Sequence, residues 1–326
     1  MSEPKKILVI RLSSFGDIVL TFPFLNELKR LYPAAEVDFL VKEDYSELVM
    51  LHSSVSNVIV YKDDLKDKLN NAFYDAVFDL QHNIKSYDVL PDRVQVFTVT
   101  KETWKKHVLV YTKINLLKHP IPVYKKYLNA LKLFDGRAKT DYTTSDILTE
   151  SGSNMNGKYC VLSPSSKHFT KRLPKEKFEK MMKELWIKIV LTGDNNSTDK
   201  EICGYLESKL DNCLNLCGKL NYKELAGIIK NAEFVVCNDS GILHLSEALG
   251  KKVFVVFGST VKEFGFFPAL PSTELFEVES LKCKPCSHIG RSSCPKQHFK
   301  CMEQIDENKI MMKIKEYINE NILKEE

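Results

Sequence analysis

Glycine is scarce in this chain of 326 residues, thirteen in all, and no strand is followed by the G-x-G-x-x-G spacing that lets a pyrophosphate lie against the backbone. A nicotinamide-dependent oxidoreductase is therefore disfavoured. No run approaches the ~20 apolar residues that a membrane-spanning helix needs, so any membrane contact is expected to be peripheral. No D-x-D pair stands in a loop where it would hold a divalent metal against a phosphate. The nine cysteines are an odd count without the paired spacing of secreted domains, and residues 1–6 hold no apolar signal core. A cytoplasmic protein with reduced thiols is expected. The formal charge of +4 is too mild to imply a nucleic-acid partner.

What is present is a repeated strand-loop-helix pattern. Residues 7–10, 37–41, 58–61 and 74–80 read as buried strands, and residues 18–32 carry helical periodicity up to Pro33. A small and polar cluster at 151–157 reads as a boundary, after which strands resume at 159–162, 187–194 and 234–238. This alternation predicts α/β architecture with doubly wound parallel sheets.

The chemistry sits in the loops. Arg11-Leu12-Ser13-Ser14-Phe15-Gly16-Asp17 places one carboxylate, Asp17, at the mouth of a helix, where it can accept a proton from a hydroxyl or simply cap the helix. Asn238-Asp239-Ser240-Gly241 opens a second helix whose free N–H groups suit a phosphate, and His244 falls one turn in, facing back. The plainer alternative is a cap at Asp239 or Ser240 and a surface histidine. Ser165 and Ser166, with Lys167 and Lys171, make another phosphate cradle. Between Gln81 and Thr140, twelve lysines and arginines face four acidic residues, interleaved with Trp104, Tyr111 and Tyr124. Such a stretch suits a polyanionic acceptor or an anionic membrane surface, or is a solvated face.

The order and spacing of five motifs carry a resemblance. They are the Arg11–Asp17 loop, Asp79-Leu80-Gln81-His82-Asn83-Ile84-Lys85-Ser86, Thr170-Lys171-Arg172-Leu173-Pro174, Gly218-Lys219-Leu220, and Asn238 through His244. Together the chain resembles glycosyltransferase family 9, the ADP-heptose:lipopolysaccharide heptosyltransferases, from about Lys6 to Ile305. The resemblance implies a GT-B fold, two Rossmann-like domains facing across a cleft. Residues 1–152 would bind the acceptor, 153–305 the nucleotide sugar, and 306–326 would form a helix packing back toward the first domain. It implies an inverting, metal-independent transferase, without cofactor, moving heptose from ADP-heptose to the lipopolysaccharide core or a lipid A-linked acceptor at the cytoplasmic face of the inner membrane. Asp17 would be the general base. Lys171, Ser165, Ser166, Asp239, Ser240, Gly241 and His244 would hold the donor, and Ser14, Gly16, Lys85 and Ser86 the acceptor. Transfer of another nucleotide-linked sugar, a protein acceptor, or a silent sugar-nucleotide-binding relative are the alternatives.

Near the end of the chain, Cys283-Lys284-Pro285-Cys286 with Cys294 and Cys301 has the spacing of a structural zinc site, with His288 and His298 as alternates. Packing thiols or a labile disulfide are the competing interpretation.

Overall fold

The computed structural model describes residues 3–149 and 157–323; the boundary cluster, apart from Gly157, lies outside them. Five short apolar runs form the first sheet: β1 (Lys6–Ile10), β2 (Glu36–Val41), β3 (Asn57–Val60), β4 (Ala76–Asp79) and β5 (Val96–Thr98). All pair in parallel, in the order β3-β2-β1-β4-β5. Ile7 to Ile10 are fully buried, as expected of a central strand covered on both faces. From β1 the sheet grows outward in one direction through β2 and β3 and in the other through β4 and β5. The loops leaving β1 and β4 therefore diverge and open a crevice at the carboxyl ends of those strands.

The second sheet repeats the scheme with β6 (Tyr159–Ser163), β7 (Lys188–Leu191), β8 (Cys213–Asn215), β9 (Phe234–Asn238), β10 (Lys252–Phe257) and β11 (Glu274–Glu277). Its order is β11-β10-β9-β6-β7-β8, so the corresponding divergence falls between β6 and β9.

Two local departures from the sequence pattern have simple causes. The helix expected over 18–32 is two helices, Phe15–Val19 and Phe22–Leu31, because Pro23 lacks an N–H to donate and can sit only in the first turn of a new helix. The edge strands β5, β8 and β11 have only three or four residues each, too few for a period to stand out.

The chain divides into two compact units, Met1–Lys101 with Ile121–Leu148, and Glu102–Pro120 with Thr149–Glu326. Glu102–Pro120 was expected with the first half but packs with the second. Leu109, Val110 and Leu117 bury themselves with Phe264, while Lys106 donates to the Phe264 carbonyl at 3.1 Å and Lys113 to that of Pro285 at 2.6 Å. The terminal helix Glu307–Asn321 starts as the sequence indicates, with the Asp306 carboxylate accepting from the N–H groups of Asn308 and Lys309. Ile310, Ile314 and Ile318 enter the core of the second unit, each contributing ~1.5–3 kcal/mol by burial. Lys177 holds Glu307 at the start of the helix, so its apolar face is spent within its own unit.

One buried histidine gives the first unit a pH limit. His52 is 1% exposed, edge-on to Phe22 at 4.8 Å, and its Nδ1 accepts from the Ser54 N–H. Burial holds it neutral, with its pKa lowered to about 4. The unfolded chain takes up this proton near pH 6.5, so stability falls as pH drops from 6.5 to about 4, by ~3 kcal/mol for this group. Urea midpoints measured across that range should decline, and His52→Gln should flatten the decline; an unchanged slope in the variant would refute the assignment.

Candidate functional site

In the first unit the loops leaving β1 and β4 are tied together by a few buried polar groups. Arg11, the first residue after β1, is 9% exposed and sends one guanidinium nitrogen to the Leu80 carbonyl at 2.7 Å. A second nitrogen meets Asp17 Oδ1 at 2.8 Å, and the guanidinium lies 5.8 Å from the Tyr127 ring. Burial opposes the Arg11 charge, yet Asp17 and its other neighbours outweigh that cost and raise its pKa. The other carboxylate oxygen of Asp17 accepts from the Ser14 hydroxyl at 2.7 Å. Asp17 is thus oriented on both sides while its side chain keeps 17% exposure, enough for a small group to reach it.

The β4 loop is organised by Asp79, which is fully buried. It accepts from the N–H groups of Gln81 and His82 at 3.0 and 2.7 Å and from the Ser86 hydroxyl at 2.8 Å. Gln81 in turn accepts from the Leu12 N–H at 3.0 Å, which locks this loop to the one carrying Asp17. Sequence reasoning gave Arg11, Asp79 and Gln81 no role; a carboxylate closing an otherwise apolar strand was the available signal.

In the second unit the crevice lies between β6 and β9. Asn238 ends β9 fully buried, donating to the Pro164 carbonyl at 2.7 Å and accepting from the Leu173 N–H at 3.0 Å, so it holds both ends of the β6 loop. Asp239, 3% exposed, pairs with Lys171 Nζ at 2.8 Å and accepts from the Thr260 hydroxyl at 2.5 Å. Lys171 is thereby fixed beside the start of the helix Gly241–Ala248. No side chain caps that helix, and the buried Ser240 hydroxyl has no hydrogen-bond partner among the described residues. Uncapped N–H groups, a spare hydroxyl and a held ammonium form a receptor for an anion. Gly258 closes the wall: a Cβ there would meet the Thr170 carbonyl at 2.7 Å.

The donor-side candidates therefore share the carboxyl edge of one sheet, with different degrees of freedom. Lys171, Asp239, Ser240 and Gly241 line the helix start. His244 is 4% exposed one turn in, its ring tilted against Phe266 at 6.3 Å. Ser165 is 4% exposed and gives its hydroxyl to Asp199 at 2.6 Å, and Ser166 bonds the Asp239 carbonyl at 3.4 Å, so both brace the loop. On the acceptor side, Ser14 and Gly16 flank Asp17 and Lys85 is exposed. Ser86 needs correcting: it is fully buried and its hydroxyl is committed to Asp79 and the Asn83 carbonyl, so it shapes the loop rather than touching a ligand.

Cys283, Cys286, Cys294 and Cys301 are free thiols, and among the described residues no group of three or more His, Cys, Asp or Glu is placed to hold a metal ion. Cys301 has gone into the apolar core beside Met302, and burial pushes its thiol up to about 11.

Comparison with known proteins agrees with this architecture. A family model described as glycosyltransferase family 9 (heptosyltransferase) matches residues 92–296. Lipopolysaccharide heptosyltransferase 1 of Campylobacter coli is 25% identical, covering 95% of this chain and 98% of its own. That of Pseudomonas aeruginosa is 23% identical over 86% of each. Among solved structures, a family 9 glycosyl transferase from Veillonella parvula superposes with a TM-score of 0.74 at 17% identity, covering 97% of this chain and 98% of that one. An Escherichia coli heptosyltransferase solved with ADP gives 0.72 at 18% identity, over 96% and 99%. The two doubly wound sheets are those of a GT-B fold.

Proposed function

Because the chain belongs to glycosyltransferase family 9, the heptosyltransferases, we propose that it moves heptose from ADP-heptose to the inner core of lipopolysaccharide with inversion at the anomeric carbon. Asp17 takes the proton of an acceptor hydroxyl as that oxygen attacks the anomeric carbon. The bond from this carbon to the diphosphate oxygen breaks, and ADP leaves with the electron pair. Lys171, the Ser240 hydroxyl and the first N–H groups of Gly241–Ala248 meet the charge gathering on the diphosphate, a task that lysine and a helix start perform without a metal. Arg11 and Ser14 hold the Asp17 carboxylate in a fixed orientation, and exposed Lys85 would meet the acceptor.

The observation that carries this reading is the complementary equipment of the two crevices: one ends in an oriented carboxylate, the other in a held cation beside an uncapped helix. With a nucleotide-sugar donor and a lipid-linked acceptor, the enzyme would work in the cytoplasm at the face of the inner membrane. Among the described residues no helix is long and apolar enough to cross a membrane. Contact would fall to exposed Trp104, Tyr111, Ile114 and Leu116, with Lys118 beside them.

The test is incubation with ADP-heptose and a heptose-free lipopolysaccharide core, read by mass spectrometry, with UDP- and GDP-sugars in parallel arms. A gain of one heptose from the ADP donor alone is expected. Tight ADP-heptose binding with no gain on any core would make the chain a silent relative and overturn the reading.

A further inference from the structure

The Asp239 carboxylate fixes only the tip of Lys171. A flexible four-carbon stem separates that ammonium from the backbone, so its place also depends on where the short turn Phe169–Lys171 stands. Thr170, 1% exposed, fastens this turn to Arg291, 121 residues further along the chain. The Thr170 hydroxyl accepts from the Arg291 N–H at 2.9 Å and from the Ser259 hydroxyl at 3.0 Å. Its N–H donates to the Arg291 carbonyl at 3.2 Å, and its carbonyl accepts from the Ser259 N–H at 3.3 Å.

Arg291 closes a turn with its own brace. The buried Ser287 hydroxyl accepts from the N–H groups of Ile289 and Gly290 at 3.1 and 3.0 Å, and Arg291 Nε donates to the Cys286 carbonyl at 2.9 Å. Gly290 stands at φ +115° and so near His168 that an added Cβ would lie 2.5 Å from the His168 Cβ. Only glycine meets both conditions. Phe169 stacks on Phe299 at 4.6 Å. Thus His168, Phe169 and Thr170, the residues leading into Lys171, are each seated on the segment 287–299. A charge mounted in this way loses less of its attraction for a ligand to being ordered.

Resting on the transferase reading above, we propose that Thr170 and Gly290 are positioning residues, through which the turn 287–291 sets the place of the Lys171 ammonium and with it the affinity for the donor diphosphate. Both are buried and act through Lys171. A stretch whose sequence draws attention only to its cysteines thereby takes part in donor binding.

Calorimetric titration with ADP, together with acetylation of the folded protein read by mass spectrometry, tests this without needing turnover. Thr170→Val keeps the shape and removes the hydroxyl, and Gly290→Ala forces His168 aside. Each should bind ADP about three- to ten-fold more weakly than wild type, a partial loss of one charge-assisted contact, and Thr170→Ser should recover most of the affinity. In a Lys171→Met background Thr170→Val should have no further effect, because the ammonium it places is gone. Lys171, with a side chain 14% exposed, should acetylate faster in both variants, while Lys177, 15% exposed and paired with Glu307, keeps its wild-type rate. Thermal unfolding identifies the variants that are folded. In those, unchanged ADP affinity, an equal loss with and without Lys171, or unchanged labelling of Lys171 would overturn the proposal. If wild type binds no ADP, the transferase reading fails and the labelling comparison still decides the positioning.

Discussion

Asp17→Asn should lower heptose transfer by ~10²–10⁴-fold, the range for losing a positioned general base, while ADP binding stays within about two-fold of wild type. The substitution keeps the side chain's shape and an oxygen for Ser14 to bond, and removes only the basicity and the charge. It also leaves Arg11, 9% exposed, without its ion-pair partner, so a loss of stability should accompany the loss of rate. A breaking penalty for a fully buried pair is ~3–5 kcal/mol, and the partial exposure of Asp17 puts the expected cost at the lower end or below it. Thermal unfolding separates the two effects. A folded Asp17→Asn protein with ordinary turnover would remove Asp17 from the chemistry.

Lys171→Met should weaken ADP-heptose binding by about 10- to 100-fold, the value of one or two charge-assisted bonds to phosphate. The variant has a second effect, because Asp239 would then be a buried carboxylate supported by Thr260 and the protein fold alone. Pairing it with Asp239→Asn tells the roles apart. If Lys171 merely neutralises Asp239, the double variant should bind the donor as wild type does. If the ammonium reaches the diphosphate, the double variant should fold well and still bind poorly, which is the outcome expected here.

Much of this site was legible in the amino-acid order because its parts are local. A β-branched run followed by a small polar turn and an amphipathic helix specifies a strand, a loop at its carboxyl end and a helix start, so Asp17, Lys171 and Asp239–Gly241 could be placed at ligand-binding edges directly. What tied the loops together was not legible. Gln81 reaches back to Leu12 and Asn238 clamps Pro164, contacts fixed by which strands become neighbours. Ser86, whose motif position suggested a ligand contact, is an internal brace for a local reason, since the buried Asp79 seven residues before it takes its hydroxyl. Spacing along the chain likewise does not announce which cysteine will be drawn into an apolar core, as Cys301 is.

The borrowed segment Glu102–Pro120 also determines how the molecule can be dissected. A fragment beginning at residue 149, the obvious choice for expressing the second unit alone, would lack the cover over Phe264 and the lysine that bonds the carbonyls of Cys283 and Pro285. Such a truncation would carry an unsatisfied loop and a sticky surface of its own making, and poor yield from it would say little about whether that half can fold. Grafting residues 102–120 back through a short linker is the more faithful way to isolate it.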